Sequence, residues 1–131
     1  MNGCHIKPEQ FFNLIFGYYD RYWLHTYNEN ATAGTNIQDS GVVPAGEVWI
    51  ITAVRAVNDN TNVTAIEFFL RSATAYVALY RRFSPGVAAD VLWAGSVCLK
   101  AGDYVRVIFY GCTLNDNITS DIIGYKMKLS Q

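Results

Sequence analysis

The sequence predicts an all-β chain, an antiparallel β-sandwich of jelly-roll type with about seven to eight strands. Three observations lead there. A turn phrase occurs twice, Val43-Pro44-Ala45-Gly46-Glu47-Val48-Trp49 and Leu99-Lys100-Ala101-Gly102-Asp103-Tyr104-Val105, and each time Ala-Gly-acid opens a β-rich run. Apolar runs of strand length recur between Asn, Gly, Pro and Asp punctuation, with no internal helix pattern. The last two runs alternate apolar and polar residues with the period of a half-buried strand.

Taken in order, residues 1–19 read as an N-terminal assembly leader and residues 20–131 as the sandwich domain. Pro8-Glu9-Gln10 ahead of Phe11, Phe12, Ile15 and Phe16 suits the first turn of a short helix, which Gly17 would end. Tyr18, Tyr19, Tyr22, Trp23 and Tyr27 crowd the start of the first strand. Strands are expected over residues 21–31, 47–58, 63–72, 74–83, 90–99, 104–111 and 120–129. Pro44 is expected to set the first φ of its turn, with Gly46 and Gly102 left-handed and Asp103 completing the second turn.

One hairpin and two further strands can be read for register. A hairpin across Ser72-Ala73 would pair Leu70 with Ala75, Phe68 with Val77 and Ile66 with Leu79. Val105, Val107 and Phe109 oppose Tyr104, Arg106 and Tyr110, so the arginine face should point out. In the last strand Ile123, Tyr125, Met127 and Leu129 read as the inner face against Gly124, Lys126 and Lys128. Residues 48–57 are apolar on both sides, with Val48, Ile50 and Val54 opposite Trp49, Ile51, Val57 and Arg55. Such a strand is covered on both faces, by the leader, by a neighbouring subunit or by loops of its own domain.

Composition bounds the function. The 131 residues suffice for one two-layer core, yet 51% are hydrophobic and only 16% charged. The aromatic surplus must enter a core or a partner surface. A net charge of −1 gives no field for nucleic acid, and no run reaches the length of a membrane span. The start of the chain lacks the pattern of a signal peptide. With three cysteines, and a hairpin across residues 100–102, Cys98 would face Val105 and Cys112 would face Val91. That separates the two by about 20 Å at strand rise, so the cysteines are expected to be unpaired, as in a reducing compartment.

No catalytic constellation emerges, and the expected chain is not an enzyme and carries no cofactor or metal. His5 and His25 stand outside any Ser-His-Asp or Cys-His phrase, and Cys4-His5 lacks the second pair of a zinc site. Asn58-Asp59-Asn60 and Asn115-Asp116-Asn117 lack the spaced acids of a calcium loop and read as turns. Asn30, Asn62 and Asn117 head sequons that read as chance turns. Most acids stand in turns or at strand starts, and Glu67 reads as a solvated or interface residue rather than half of an acid pair. The aromatics of residues 18–27 could stack on sugar rings, or pack on a partner or the domain's own sheet.

The chain resembles the small β-sandwich structural proteins of tailed bacteriophage particles, head decoration (cement) proteins and collar or fibre modules. The resemblance rests on Tyr22-Trp23, on Val43-Pro44-Ala45-Gly46-Glu47-Val48-Trp49-Ile50-Ile51 leading into Val57-Asn58-Asp59, and on Leu99-Lys100-Ala101-Gly102-Asp103-Tyr104-Val105 with Gly124-Tyr125-Lys126-Met127. The Leu-x-Ala-Gly-Asp phrase is also similar to the tumour-necrosis-factor and C1q jelly rolls, which are secreted or tethered. The resemblance implies a homo-oligomer, a trimer foremost, made in the host cytoplasm and docked on the major capsid or another shell protein of the virion. Its expected role is to stabilise that shell; the alternative is a carbohydrate- or host-receptor-binding module of a tail or fibre. The residues expected at the interface are Phe11, Phe12, Ile15, Phe16, Tyr18, Tyr19, Trp23, Trp49 and Ile51.

Overall fold

The computed structural model describes residues 19–128. They form eight strands: β1 (Tyr19–Asn28), β2 (Gly34–Asp39), β3 (Glu47–Asn58), β4 (Ala65–Arg71), β5 (Tyr76–Phe83), β6 (Val91–Leu99), β7 (Tyr104–Cys112) and β8 (Ile118–Lys128). Two four-stranded antiparallel sheets result, in the orders β1-β8-β3-β6 and β2-β7-β4-β5. First pairs with last, second with seventh, third with sixth and fourth with fifth. The chain is thus one long hairpin, folded at Ser72–Ala75 and wrapped into two layers, which is the jelly roll. The tip is closed by Ser72 N–H to the Ala75 carbonyl at 2.8 Å and by Ala75 N–H to Ser72 Oγ at 3.1 Å.

The core lies between the sheets. From one come Tyr22, Trp49, Ile51, Val54, Ala56, Val91, Leu99, Ile118 and Ile122; from the other Ile66, Phe68, Leu70, Val105, Val107 and Phe109. Tyr22 and Trp49 stack at 4.7 Å between ring centroids, and Lys126 Nζ sits 4.8 Å from the Trp49 ring, closing one end. Phe68 and Phe109 are fully buried and fill the opposite layer. A polar bridge crosses the layers where Ser120 donates to Gln38 Oε1 at 2.6 Å.

Both repeated turn phrases adopt the same geometry. Gly46 has φ +80° and Gly102 φ +92°, each third in a turn closed by Glu47 N–H to Pro44 O and by Asp103 N–H to Lys100 O. Pro44 therefore occupies the first position of its turn, not the second, where its φ would have mattered most. The two turns lie side by side: Gly102 N–H donates to Val43 O and Val43 N–H to Asp103 O, both at 2.9 Å. Buried Asp103 accepts the Lys100 N–H and fixes the second turn.

Several expectations are corrected. The short strand β2 lies outside the expected strands, since Thr35, Asn36 and Gln38 give it no apolar face and its one aliphatic residue, Ile37, points outward. Strands β6 and β7 belong to different sheets, so Cys98 does not face Val105. Cys98 is disulfide-bonded and Cys112 is free and buried, which removes the argument for unpaired cysteines and a reducing compartment. The β4–β5 hairpin pairs Leu70 with Val77 and Phe68 with Tyr80, because the tip spans residues 72–75 and a bulge follows Phe68. The last strand is inverted relative to expectation: Ile122 faces the core, whereas Ile123 and Tyr125 are exposed.

Strand β8 alternates without a break, with Ile118, Ser120 and Ile122 inward and Lys126 over the Tyr22 and Trp49 rings; the irregularity lies in β3. Pairing with β8 jumps from Ile51–Gly124 to Ala53–Ile123, leaving Thr52 unmatched. Trp49 and Ile51 point inward before it, Val54 and Ala56 after it, and Arg55 is turned outward. Gly124 lies where an added Cβ would clash with the Ile50 carbonyl oxygen.

Gly124→Ala should consequently abolish folding or lower stability far more than the turn variants. Gly46→Val and Gly102→Val meet open space but keep a strained φ, and each should cost about 1–3 kcal/mol in urea unfolding. Thiol titration should detect Cys112 only on unfolding and Cys98 only after a reductant is added.

Candidate functional site: the outer face of the β1-β8-β3-β6 sheet

Strand register sets the outer face in rows. One row runs Tyr27–Thr119–Val57, the next His25–Asp121–Arg55–Leu92, the next Trp23–Ile123–Ala53–Ala94, and the last Arg21–Tyr125–Ile50–Cys98. Directly opposed residues share a face, so these side chains meet on one surface. Polar and charged groups concentrate in the second row, and aromatic and aliphatic groups in the third.

Asp121 organises the surface. Its carboxylate is largely buried yet gathers three donors: Trp23 Nε1 at 3.1 Å, Arg55 Nη1 at 3.0 Å, and His25, whose Nδ1 lies 2.6 Å away. Arg55 extends the chain to Asp90 at 2.7 Å, so the network runs from β1 through β8 and β3 to the residue just before β6. Burial alone would raise the Asp121 carboxyl; hydrogen bonds from His25, Trp23 and Arg55 outweigh it and hold it below the ordinary carboxylate range. The two carboxylates raise Arg55 against its own desolvation. Beside this row, Arg21, Trp23 and Ile123 line a pocket of about 200 Å³.

The His25–Asp121 pair is half of a nucleophilic relay, and among the described residues no hydroxyl or thiol completes it at His25. Among the described residues no group of three or more His, Cys, Asp or Glu is placed to hold a metal ion.

The two Asn-Asp-Asn phrases meet at one end of the sandwich. Asp116 Oδ2 accepts Thr61 Oγ1 at 2.6 Å, Asn58 Nδ2 at 2.8 Å and Thr113 N–H at 2.8 Å. Asp59 N–H donates to Asn117 O, and Asn117 N–H to Asn60 Oδ1. Burial would raise Asp116, but these donors hold it below its ordinary value. The turn reading of both phrases stands, with Asp116 serving as a buried staple between them.

The residues expected at an interface separate into three groups. Phe11, Phe12, Ile15, Phe16 and Tyr18 lie outside the described residues, and Tyr19 opens β1. Trp49 and Ile51 are corrected: they are core residues, 4% and 0% exposed, because the β3 bulge turns both inward. Trp23 is 67% exposed. Glu67 is also corrected: it is buried, accepts the Tyr110 hydroxyl at 3.0 Å and lies 3.9 Å from Arg81. Arg55 was named only as a face residue of its strand, and Asp121 escaped notice, because their partnership requires the bulged register. The alternation of Trp23 with His25 was the visible signal.

No family model matches the chain, and no curated protein matches it. Among solved structures it is similar to the Drosophila NLP core, described for pentamer formation and histone binding, at 9% identity and TM-score 0.44, covering 83% of this chain and 99% of that one. It is similar to the STIV MCP at 11% identity and TM-score 0.47, covering 82% of this chain and 41% of that one. A third similarity is to the structure of infectious bursal disease virus, Gx strain, at 9% identity and TM-score 0.41, covering 85% of this chain and 32% of that one. The chain thus spans less than half of either viral chain. At these scores the likenesses carry no argument about family, partner or activity.

Acid should unfold the protein through its two depressed carboxyls. A group whose folded pKa lies below its unfolded value stabilises above the unfolded value, and that stability is lost as pH falls through the folded one. Unfolding free energy should therefore hold above about pH 5 and decline below about pH 4. Asp116→Ala should lose about 1–3 kcal/mol for each stranded buried donor and show a shallower acid decline.

Proposed function

We propose that this chain is a structural protein of a virus particle, a decoration or cement-type subunit that self-associates and stabilises the shell it binds. The observation that carries the reading is strand β5. It is the outer strand of its sheet, eight residues long without proline, and almost every residue is exposed. Tyr76 and Phe83 at its ends are 63% and 66% exposed, with Val77 and Tyr80 between them. Arg81 and Arg82 charge one end of this edge, but the stretch from Tyr76 to Tyr80 is uncharged and mostly apolar, and an open stretch of this kind is a template for pairing with another chain. The jelly-roll wrap and the twin turn phrases add to the reading, since this architecture is used in viral shells, though it also serves lectins.

On this reading the assembly surface is the β5 edge together with the apolar residues of the leader, in place of Trp49 and Ile51. The oligomer is a homotrimer, the partner is the major capsid protein or another shell protein, and the site of action is the virion of a tailed phage. The role is non-enzymatic and needs no nucleic acid or membrane. No helix among the described residues is long and apolar enough to cross a membrane.

Sedimentation at micromolar concentration should give a trimer mass, and the chain should co-sediment with shells. Tyr76→Asp combined with Phe83→Asp should lower the mass and weaken shell binding while leaving the melting curve in place, because neither side chain belongs to the core. A parent that is monomeric and ignores shells contradicts the proposal.

A further inference from the structure

Trp23 is exposed but not free. Its indole N–H is bound to the buried Asp121 carboxylate, which fixes the ring's edge and leaves its face open to solvent. An indole left at the surface with its only donor spent has nothing further to offer a protein core. It is a preformed stacking plane.

We propose that the outer face of the β1-β8-β3-β6 sheet is a saccharide-binding site, with a neutral sugar ring stacked on Trp23. The register supplies the rest of the site. Behind Trp23 the third row continues through Ile123 to Ala53 and Ala94, whose small side chains leave a low floor over β3 and β6; the row crosses four strands, a span of about 14 Å at ordinary strand spacing. On one flank stand His25, Asp121, Arg55 and Asp90; on the other stand Arg21 and Tyr125. The pocket lined by Arg21, Trp23 and Ile123 opens at the Trp23 end.

The chemistry of the flanks selects the ligand class. Arg55 is paired with both Asp121 and Asp90, and Arg21 across the floor supplies the second positive charge, so with His25 neutral the charges of the two signs offset one another and favour neither an anion nor a cation. What remains is a row rich in donors and acceptors at fixed positions, which suits hydroxyl groups that do both. A protein partner fits less well, because interface cores are depleted in charge and here the ion pairs occupy the middle of the face. A flat apolar ring beside paired polar groups is a complement to the C–H face and hydroxyl rim of a pyranose.

The full-length chain should be tested on an array of neutral and acidic oligosaccharides, and hits followed by tryptophan fluorescence titration. The expected result is retention of at least one neutral saccharide, weakened roughly tenfold or more by Trp23→Ala. Asp121→Asn should weaken binding less, as a positioning change, and Ile37→Ala on the opposite sheet should not alter it. Trp23→Ala leaves the core intact, and an unchanged melting curve verifies this. The proposal is overturned by an empty array, by retention of acidic glycans alone, or by neutral-sugar binding that survives Trp23→Ala. It is equally overturned if Trp23→Ala lowers the sedimenting mass without affecting glycans, which would make the face a contact between copies. Shell binding is read separately, so a chain that docks on shells and binds no sugar sinks this proposal alone.

Discussion

The single unmatched residue at Thr52 governs one half of this molecule. Without it, strict alternation would bury Arg55 beside Trp49 and Ile51 and expose Val54. With it, β3 keeps Trp49, Ile51, Val54 and Ala56 in the core and presents Arg55 to the surface. The neighbouring strands conform. Gly124 gives up its side chain so that the Ile50 carbonyl can approach, and β6 sets Gly95 and Ser96 against the irregularity. Asp121 then stands directly between His25 and Arg55, and the surface network follows.

The opposite sheet depends on a different economy. Its inner face is uniformly apolar, from Ile66, Phe68 and Leu70 to Val105, Val107 and Phe109. Its outer face holds buried Glu67 and half-buried Tyr110 under Arg81, which lies 4.7 Å from the Phe83 ring and 5.2 Å from the Tyr110 ring. Arg106 grips Asp39 through two bonds of 2.8 and 2.9 Å and ties the polar strand β2 to β7. Long side chains, Arg81 of β5 among them, thus cover the face of this sheet, while the backbone edge of β5 remains open. The two sheets divide the proposed labour, one offering an assembly edge and the other a fixed aromatic face.

What was legible in the sequence followed from local chemistry. The positive φ of Gly46 and Gly102 was readable because Ala-Gly-acid before a β run demands it, and Val105, Val107 and Phe109 declared their inner face by plain alternation. What was not legible depended on non-local pairing. The bulge at Thr52 carries no local mark, so Trp49 and Ile51 were placed at an interface, and in the unbroken β8 the apolar alternation of Ile123 and Tyr125 belongs to the outer face. Strand β2 has no apolar periodicity and is held by Asp39–Arg106 and Gln38–Ser120 contacts that no short window contains. His25 and Trp23 were visible as an alternating pair, but Asp121, which makes them a site, lies 96 residues beyond His25.

The bulged register is tested most directly by cross-strand proton contacts in solution NMR of the isotope-labelled chain. The structure predicts in-register contacts linking Ala53 with Ile123 and Arg55 with Asp121, with Thr52 reaching Ile123 only from the bulge through its hydroxyl. Contacts pairing Ala53 with Ile122 and Arg55 with Ser120 would show an unbroken β3, return Arg55 to the core face, and contradict the account of both the fold and the surface built on it.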